Sequence, residues 1–188
     1  SHLLKWLLSK REKINLGTLT SFLLLIGIFS NSDRSFHERM KVETLVLNKQ
    51  YEAALSNIKR MRNVDSVTTM LTIYCVARTG HLPDSLYEYR LIGGKDVLYP
   101  GKVHSVFLPD SVIKKATSSS VHYQLNEYLL DRNLPTFKKL VQKYYPVDSF
   151  RPRYYAEAYK LYALLSKGMK PKPPYPKGSY TSYYFSVR

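Results

Sequence analysis

The feature that most constrains this chain is the stretch over residues 14–32, which contains no charged side chain in a sequence otherwise rich in Lys and Arg. A helix needs roughly 20 mostly apolar residues to span a bilayer, and this stretch is just long enough. We therefore predict a transmembrane helix over residues 14–32, preceded by a basic, interfacial segment over residues 1–13. A cleaved signal peptide and a buried core helix are the alternatives, although no small-residue cleavage site follows the stretch.

The charges beside this stretch predict its orientation. Lys10, Arg11 and Lys13 stand immediately before it, and positive residues are retained on the cytoplasmic side of a membrane helix. The N-terminus is therefore predicted to be cytoplasmic. The rest of the chain is predicted to be extracytoplasmic, in the periplasm if the cell is Gram-negative.

Composition limits the partners and the chemistry. The 188 residues carry a formal net charge of +15, which favours acidic partners such as anionic lipids, acidic glycans or nucleic acid. No nucleic-acid-binding motif is present, so nucleic acid is not expected. The single cysteine, Cys75, rules out an internal disulfide and a thiolate metal site, and its apolar neighbours predict a core position.

Apolar residues recur at helical spacing after residue 32, which predicts an all-α domain over residues 33–168. We expect antiparallel helix pairs, with a first pair near residues 36–61, and a final helix. The residues that punctuate the later helices are Asp65 as a candidate N-cap, Gly80 as a candidate stop, Pro146, Pro152 and Gly168.

The junctions within the three helix pairs resemble one another. Each joins a helix that ends in polar residues to a helix that begins with a large apolar residue, at Tyr51, Leu82 and Leu134. The first two starts are 31 residues apart, close to the ~34-residue period of tetratricopeptide helix pairs. The longer second spacing predicts an insertion over residues 93–117.

With these junctions and the segment LNKQYEAAL at residues 47–55, the chain resembles the tetratricopeptide-like class over residues 36–167. The Trp and the Leu-Gly pair typical of a first helix in that class are missing, so the repeats are divergent. The resemblance implies a stacked helical array that binds a peptide or another protein.

The insertion and the tail are separate predictions. Gly and Pro punctuate residues 93–117, and the apolar residues between them predict a segment that packs on the array and serves either in binding or as a connector.

Residues 169–188 are predicted to form a Pro-rich linker and a short extended tail. Thr181, Tyr183, Phe185 and Val187 alternate as on a strand that adds to a partner. Disorder and packing on the chain's own helices are the alternatives.

A second resemblance rests on the order of basic segment, membrane helix and divergent helix pairs, and on the phrase GHLPDSLYEYRLIGGKDVLYP at residues 80–100. It is similar to the C-terminal region of polytopic bacterial membrane proteins that end in tetratricopeptide-like repeats. That family implies further membrane helices upstream and a distant likeness to glycosyltransferases that use lipid-linked sugars.

Catalytic and metal-binding patterns are missing from the sequence. The five histidines show no ligand spacing, and no nucleophile elbow, phosphate loop or dinucleotide fingerprint occurs. We predict no catalytic residues, no metal and no cofactor. The residues predicted to bind a partner are Arg151, Arg153, Tyr154 and Tyr155 on the last helix and Tyr183 and Phe185 in the tail.

These observations predict a membrane-anchored helical-repeat interaction module, a non-catalytic subunit or scaffold of a membrane complex. Its expected partners are a protein of that complex, the bilayer through residues 14–32 and an acidic glycan. The alternative is an accessory C-terminal domain of a polytopic membrane enzyme that acts on lipid-linked or polymeric glycans.

Overall fold

A computed structural model describes residues 10–30, 34–99, 101–118, 120–146 and 149–186. These residues form helices and connecting loops and contain no strand, which confirms the all-α prediction for the described part of the chain. The chain divides into two units, Ser1–His37 and Glu38–Arg188.

The first unit contains α1 (Lys10–Ser30). Its side chains are exposed from residue 12 to residue 27, and the large apolar ones among them are Ile14, Leu16, Leu19, Phe22, Leu23, Leu24, Leu25 and Ile26. Within the described residues, none of the helices has the length and apolarity needed to cross a membrane. Residues 31 and 32, the end of the predicted transmembrane helix, lie outside the described residues.

The boundary between the two units falls within the continuous helix α2 (Arg34–Leu47), and the second unit begins at Glu38. The helices that lie wholly or mostly in the second unit are α2, α3 (Tyr51–Arg60), α4 (Ser66–Arg78), α5 (Leu82–Ser85), α6 (Asp110–Ser118), α7 (Val121–Leu130), α8 (Leu134–Tyr144), α9 (Arg153–Ser166) and α10 (Tyr180–Phe185). Helix α3 packs on α4, α7 packs on α8, and α8 packs on α9. In each of these three contacts, helices that follow one another in the chain are neighbours.

The three similar junctions share one backbone geometry. At each, one residue has a positive φ and the next amide donates to the carbonyl five residues earlier, an arrangement that closes the C-terminus of a helix. The turns are Lys49 with Gln50 N–H to Leu45 O, Gly80 with His81 N–H to Val76 O, and Arg132 with Asn133 N–H to Tyr128 O. The next helices begin at Tyr51, Leu82 and Leu134 as predicted.

Two further predicted helix boundaries are confirmed. The Asp65 carboxylate accepts a hydrogen bond from the Thr68 amide at 2.7 Å and caps α4. Gly168, at φ +72°, stands just beyond the end of α9, where the Met169 amide donates to Leu164 O.

The insertion packs on the domain, as predicted. The helix that begins at Leu82 is short: α5 ends at Ser85, a 3₁₀ turn follows at Leu86–Glu88, and the backbone is extended at Tyr89. A second 3₁₀ turn, Gly94–Leu98, packs between α4 and α7. Gly93 permits this close approach, because at its φ of +92° a Cβ would lie 2.7 Å from Val97 Cγ1.

The predicted strand in the tail is wrong, because residues 180–185 form α10. The Ser179 hydroxyl caps it by accepting from the Ser182 amide at 3.1 Å. The phenols of Tyr180 and Tyr183 then donate to the carbonyls of Leu129 and Leu130, at 3.1 and 2.9 Å. Side chains three residues apart lie on the same side of a helix but on opposite sides of a strand. The contacts of Tyr180 and Tyr183 with α7 therefore favour a helix over the strand that the alternating sequence pattern predicts. Val187, the last residue of the predicted strand, lies outside the described residues.

Candidate functional site

Two of the predicted partner-binding residues lie in the core. Tyr154 and Tyr155 are both 0% exposed, so a partner cannot reach their side chains in this fold. Tyr154 donates to Gly178 O at 3.0 Å, and Tyr155 lies 3.0 Å from His122 Nδ1. Burial raises the pKa of both phenols above the ordinary value, which keeps them neutral. The side chains of these two residues therefore pack in the core and do not form a binding surface.

The two predicted arginines lie at the surface but serve different purposes. Arg153 is 3.2 Å from carboxylate oxygens of both Glu88 and Glu157, and its amide donates to Asp84 at 2.7 Å. These bonds fix the start of α9. Arg151 contacts no carboxylate among the described residues; its guanidinium carbon lies 4.2 Å from the ring centroid of Tyr159. Arg151 Nη2 also donates to Tyr145 O at 3.3 Å, and its Nε is buried, so Arg151 keeps its positive charge but offers a partner only the part of the guanidinium that stays exposed.

The predicted tail residues contact their own domain. The carbonyl of Tyr183 accepts from Arg132 at 3.1 Å, in addition to the phenol contact described above. Phe185 stacks on Tyr175 with ring centroids 5.0 Å apart. Both side chains are half-buried, so they stabilise the docked tail rather than stand free for a partner.

A surface formed by α8, α9 and Arg151 of the loop between them combines cations with aromatic rings, and we call it the basic-aromatic face. Besides the Arg151 stack, Lys138 Nζ lies 5.4 Å from the ring centroid of Tyr162 and Lys143 Nζ lies 5.6 Å from that of Tyr144. The Gln142 amide donates to the Tyr159 hydroxyl at 3.3 Å and joins the two helices. The members of the face are Lys138, Lys143, Tyr144, Arg151, Tyr159 and Tyr162.

The charge around this face is strongly positive. Residues 134–146 and 149–186 contain ten Lys and Arg but one acidic residue, Glu157. Both oxygens of that carboxylate are already engaged, by Arg153 and by the Tyr180 amide. The positive charge of the face is therefore not neutralised within the described part of the chain, and it attracts an anion.

The neighbouring exposed residues add apolar surface. Phe150 is 91% exposed just before α9, and Leu164 is 37% exposed on α9 itself. Rings, cations and apolar side chains together suit a partner with both acidic and apolar groups. The sequence already shows Tyr159 and Tyr162 at helical spacing, but nothing in it places Lys138 of the preceding helix over the ring of Tyr162.

A cavity of about 590 Å³ also lies in the second unit. It lies between residues 91–96, the Leu130–Arg132 turn and α10. Its charged groups bind one another or the chain: Lys95 Nζ lies 3.0 Å from Asp131, and Arg132 donates to the carbonyls of Tyr183 and Ser186. No cluster of three His, Cys, Asp or Glu that suits a metal occurs in the described parts of the chain. We assign this cavity no ligand.

Comparisons with known proteins give no relative: no protein-family model, curated protein or solved structure matches the chain. The two resemblances noted from the sequence therefore stay predictions.

Proposed function

We propose that the second unit is an interaction domain whose basic-aromatic face binds an acidic segment of a protein partner. The observation that carries the proposal is a set of three cations stacked on tyrosine rings: Lys138 and Arg151 reach rings of α9, and Lys143 lies over the adjacent Tyr144 of α8. Residues 134–186 contain ten basic and two acidic residues. Stacking on a ring orients a cation without neutralising its charge, so it remains available to a carboxylate.

The rigid array supports this role. The face spans α8 and α9, which are packed side by side. The packing of these helices therefore holds the backbone of Lys138, Tyr159 and Tyr162 in place, and binding to a preorganised surface costs less conformational freedom.

We further propose that α1 holds the chain at a membrane, within a membrane complex whose other member is the protein partner. The eight large apolar side chains of α1 are about half exposed or more, from 49% at Ile26 to 63% at Phe22. No charged residue interrupts the helix between Ile14 and Ser30. Surface of this kind is stable in lipid or against an apolar partner and is costly in water.

The test is a fluorescence titration of the full chain, in mild detergent, with a labelled peptide rich in Asp, Glu and Leu. Reversing Lys138, Lys143 and Arg151 to Glu should weaken binding about ten- to hundredfold, because each exposed charge contributes roughly 0.5–1 kcal/mol. The matched control reverses Lys41 and Arg60, exposed basic residues on α2 and α3, and should leave affinity within about twofold.

A milder variant distinguishes a binding site of defined geometry from nonspecific attraction to positive charge. Arg151→Lys keeps the positive charge but loses the flat group that stacks on Tyr159 and grips a carboxylate through two bonds. We expect about threefold to tenfold weaker binding. If this variant binds like the parent chain, or if the control reversals weaken binding as much as those on α8 and α9, the face is only a diffuse positive surface and the proposal fails.

An acidic glycan is the second candidate, and the three tyrosine rings favour it because sugar rings stack on aromatic faces. This would agree with the accessory domain of an enzyme that acts on lipid-linked or polymeric glycans. Titration with a uronic-acid oligosaccharide of equal charge distinguishes the two. Tighter binding of the oligosaccharide than of the peptide, lost in a Tyr159→Leu and Tyr162→Leu variant, would replace the protein partner by a glycan.

A further inference from the structure

The loop that leads into α6 presents two apolar side chains to solvent. Val106 is 62% exposed and Phe107 is 41% exposed, and we call this pair the apolar tip. The flanking residues Val103 and Leu108 pack against the core. The loop therefore buries its flanks while its tip stays outside.

A buried carboxylate holds the tip in this position. Glu43 of α2 is 1% exposed, and its Oε2 accepts from the Ser105 hydroxyl at 2.7 Å and from the Phe107 amide at 2.9 Å. Ser105 Oγ in turn accepts from the Leu108 amide at 3.0 Å. Because these bonds fix the backbone on both sides of Val106, the tip cannot turn inward unless they break.

The size of the tip argues for lipid. A stable protein interface buries about 800 Å² on each partner. One aromatic and one small aliphatic side chain offer far less, since even an aromatic residue buries only about 150–250 Å². An apolar wedge of this size is sufficient to enter the interfacial region of a bilayer, which makes no demand for shape complementarity.

The charge of the second unit points to an anionic surface. Residues 38–188 contain 24 Lys and Arg and 12 Asp and Glu, a net charge of +12. In the sequence, exposed lysines stand on both sides of the tip: Lys102 in the loop, where it pairs with Asp96, and Lys115 on α6. Basic residues beside an apolar wedge are attracted by anionic headgroups.

We propose that the apolar tip inserts into the interfacial region of an anionic phospholipid bilayer and docks the second unit on the membrane surface. This contact goes beyond the membrane association proposed for α1, because it belongs to a different unit and has a different anchor. It gives the insertion a binding role.

The test places an environment-sensitive fluorophore at the tip of the full chain. Burial raises the pKa of the Cys75 thiol to about 12, so this cysteine is unreactive in the folded protein and a Val106→Cys variant takes the label selectively. The unaltered chain, treated identically, measures any background labelling. A label at Ala163, an exposed small residue on α9, serves as the matched control.

The labelled chain is mixed with vesicles of phosphatidylcholine and phosphatidylglycerol, and sedimentation with the vesicles is measured in the same samples. We expect a blue shift at position 106 and loss of its fluorescence when the lipids carry a quencher near the headgroups. Neither should occur at position 163. Adding Phe107→Asp to the Val106→Cys variant should abolish the shift, and circular dichroism checks that this variant remains helical.

Three results would overturn the proposal. If the chain sediments with vesicles but the probe at position 106 stays in water, α1 contacts lipid and the tip does not. If the chain does not sediment at all, both membrane contacts are wrong. If the probe is shielded from iodide without vesicles and more so at higher protein concentration, a second copy of the chain covers the tip.

Discussion

Removing the Glu43 carboxylate should destabilise the second unit, because this side chain joins α2 to the loop before α6. In Glu43→Ala, the Ser105 hydroxyl and the Phe107 amide lose their acceptor, at 2.7 and 2.9 Å in the parent structure. A hydrogen bond to a charged group contributes about 1.5–3 kcal/mol. Relief from burying a charge offsets part of the loss of the two bonds. We therefore expect about 3 kcal/mol less stability, which for a chain of this size lowers Tm by roughly 6–12 °C.

The assay is urea denaturation of the full chain in detergent, followed by circular dichroism, with amide exchange measured at Phe107. Glu43→Gln keeps an oxygen that accepts both donors and should lose only about 1 kcal/mol. Glu52→Ala removes an exposed carboxylate from α3 and is the matched control. If Glu43→Ala and Glu52→Ala unfold at the same urea concentration, or if the Phe107 amide exchanges no faster in Glu43→Ala, the carboxylate does not hold the loop.

Three further predictions concern a turn, a histidine and the tail. Gly93→Ala should lower the free energy of unfolding by about 2–4 kcal/mol, because the new Cβ adds backbone strain and steric overlap. Gly101, at φ +88°, has open space around its Cβ position, so Gly101→Ala should lower it by only about 1–2 kcal/mol in the same urea titration. Equal losses in the two variants would exclude the steric overlap at Gly93. Burial lowers the pKa of His122. The neutral histidine therefore contributes its full stability above the unfolded-state pKa of about 6.5, and this stability is lost as the pH falls through the folded-state pKa. The fall in Tm between pH 7 and pH 5 should be smaller in His122→Gln than in the parent chain, and an equal fall would refute this. Arg132→Asn tolerates the positive φ but removes the hydrogen bonds from the guanidinium to the tail. Amide hydrogen exchange in Tyr180–Phe185 should therefore accelerate, because the free energy of opening falls by about 1–3 kcal/mol. Unchanged exchange would mean that the phenols alone hold the tail.

Helix boundaries were predictable where local chemistry decides them. Asp65 caps α4 through its own carboxylate, and Gly80 and Gly168 adopt the positive φ that glycine tolerates best. Each of these interactions joins residues within one turn of helix. The helix starts at Leu82 and Leu134 are equally local, since a proline follows directly and fits the first turn.

The candidate site was only partly predictable, because helical spacing does not reveal how many neighbours a helix has. Tyr154 and Tyr155 are consecutive in sequence, and consecutive residues of a helix point in different directions. Both are buried because α9 packs against α5, α8 and α10. Of the two arginines, Arg153 is exposed but pairs with Glu88 and Glu157, whereas Arg151 is half-buried and stacks on Tyr159 without a carboxylate among the described residues.

The sequence by itself determined the helical class, the positive charge, the cap at Asp65 and the three similar junctions, because each depends on composition or on residues close together in the chain. Only the tertiary structure decided the rest. Glu43 meets Phe107, 64 residues away, and the alternating tail becomes a helix because two phenols find the carbonyls of Leu129 and Leu130. Such contacts depend on which distant backbone groups folding brings within about 3 Å, and no pattern within one segment specifies that.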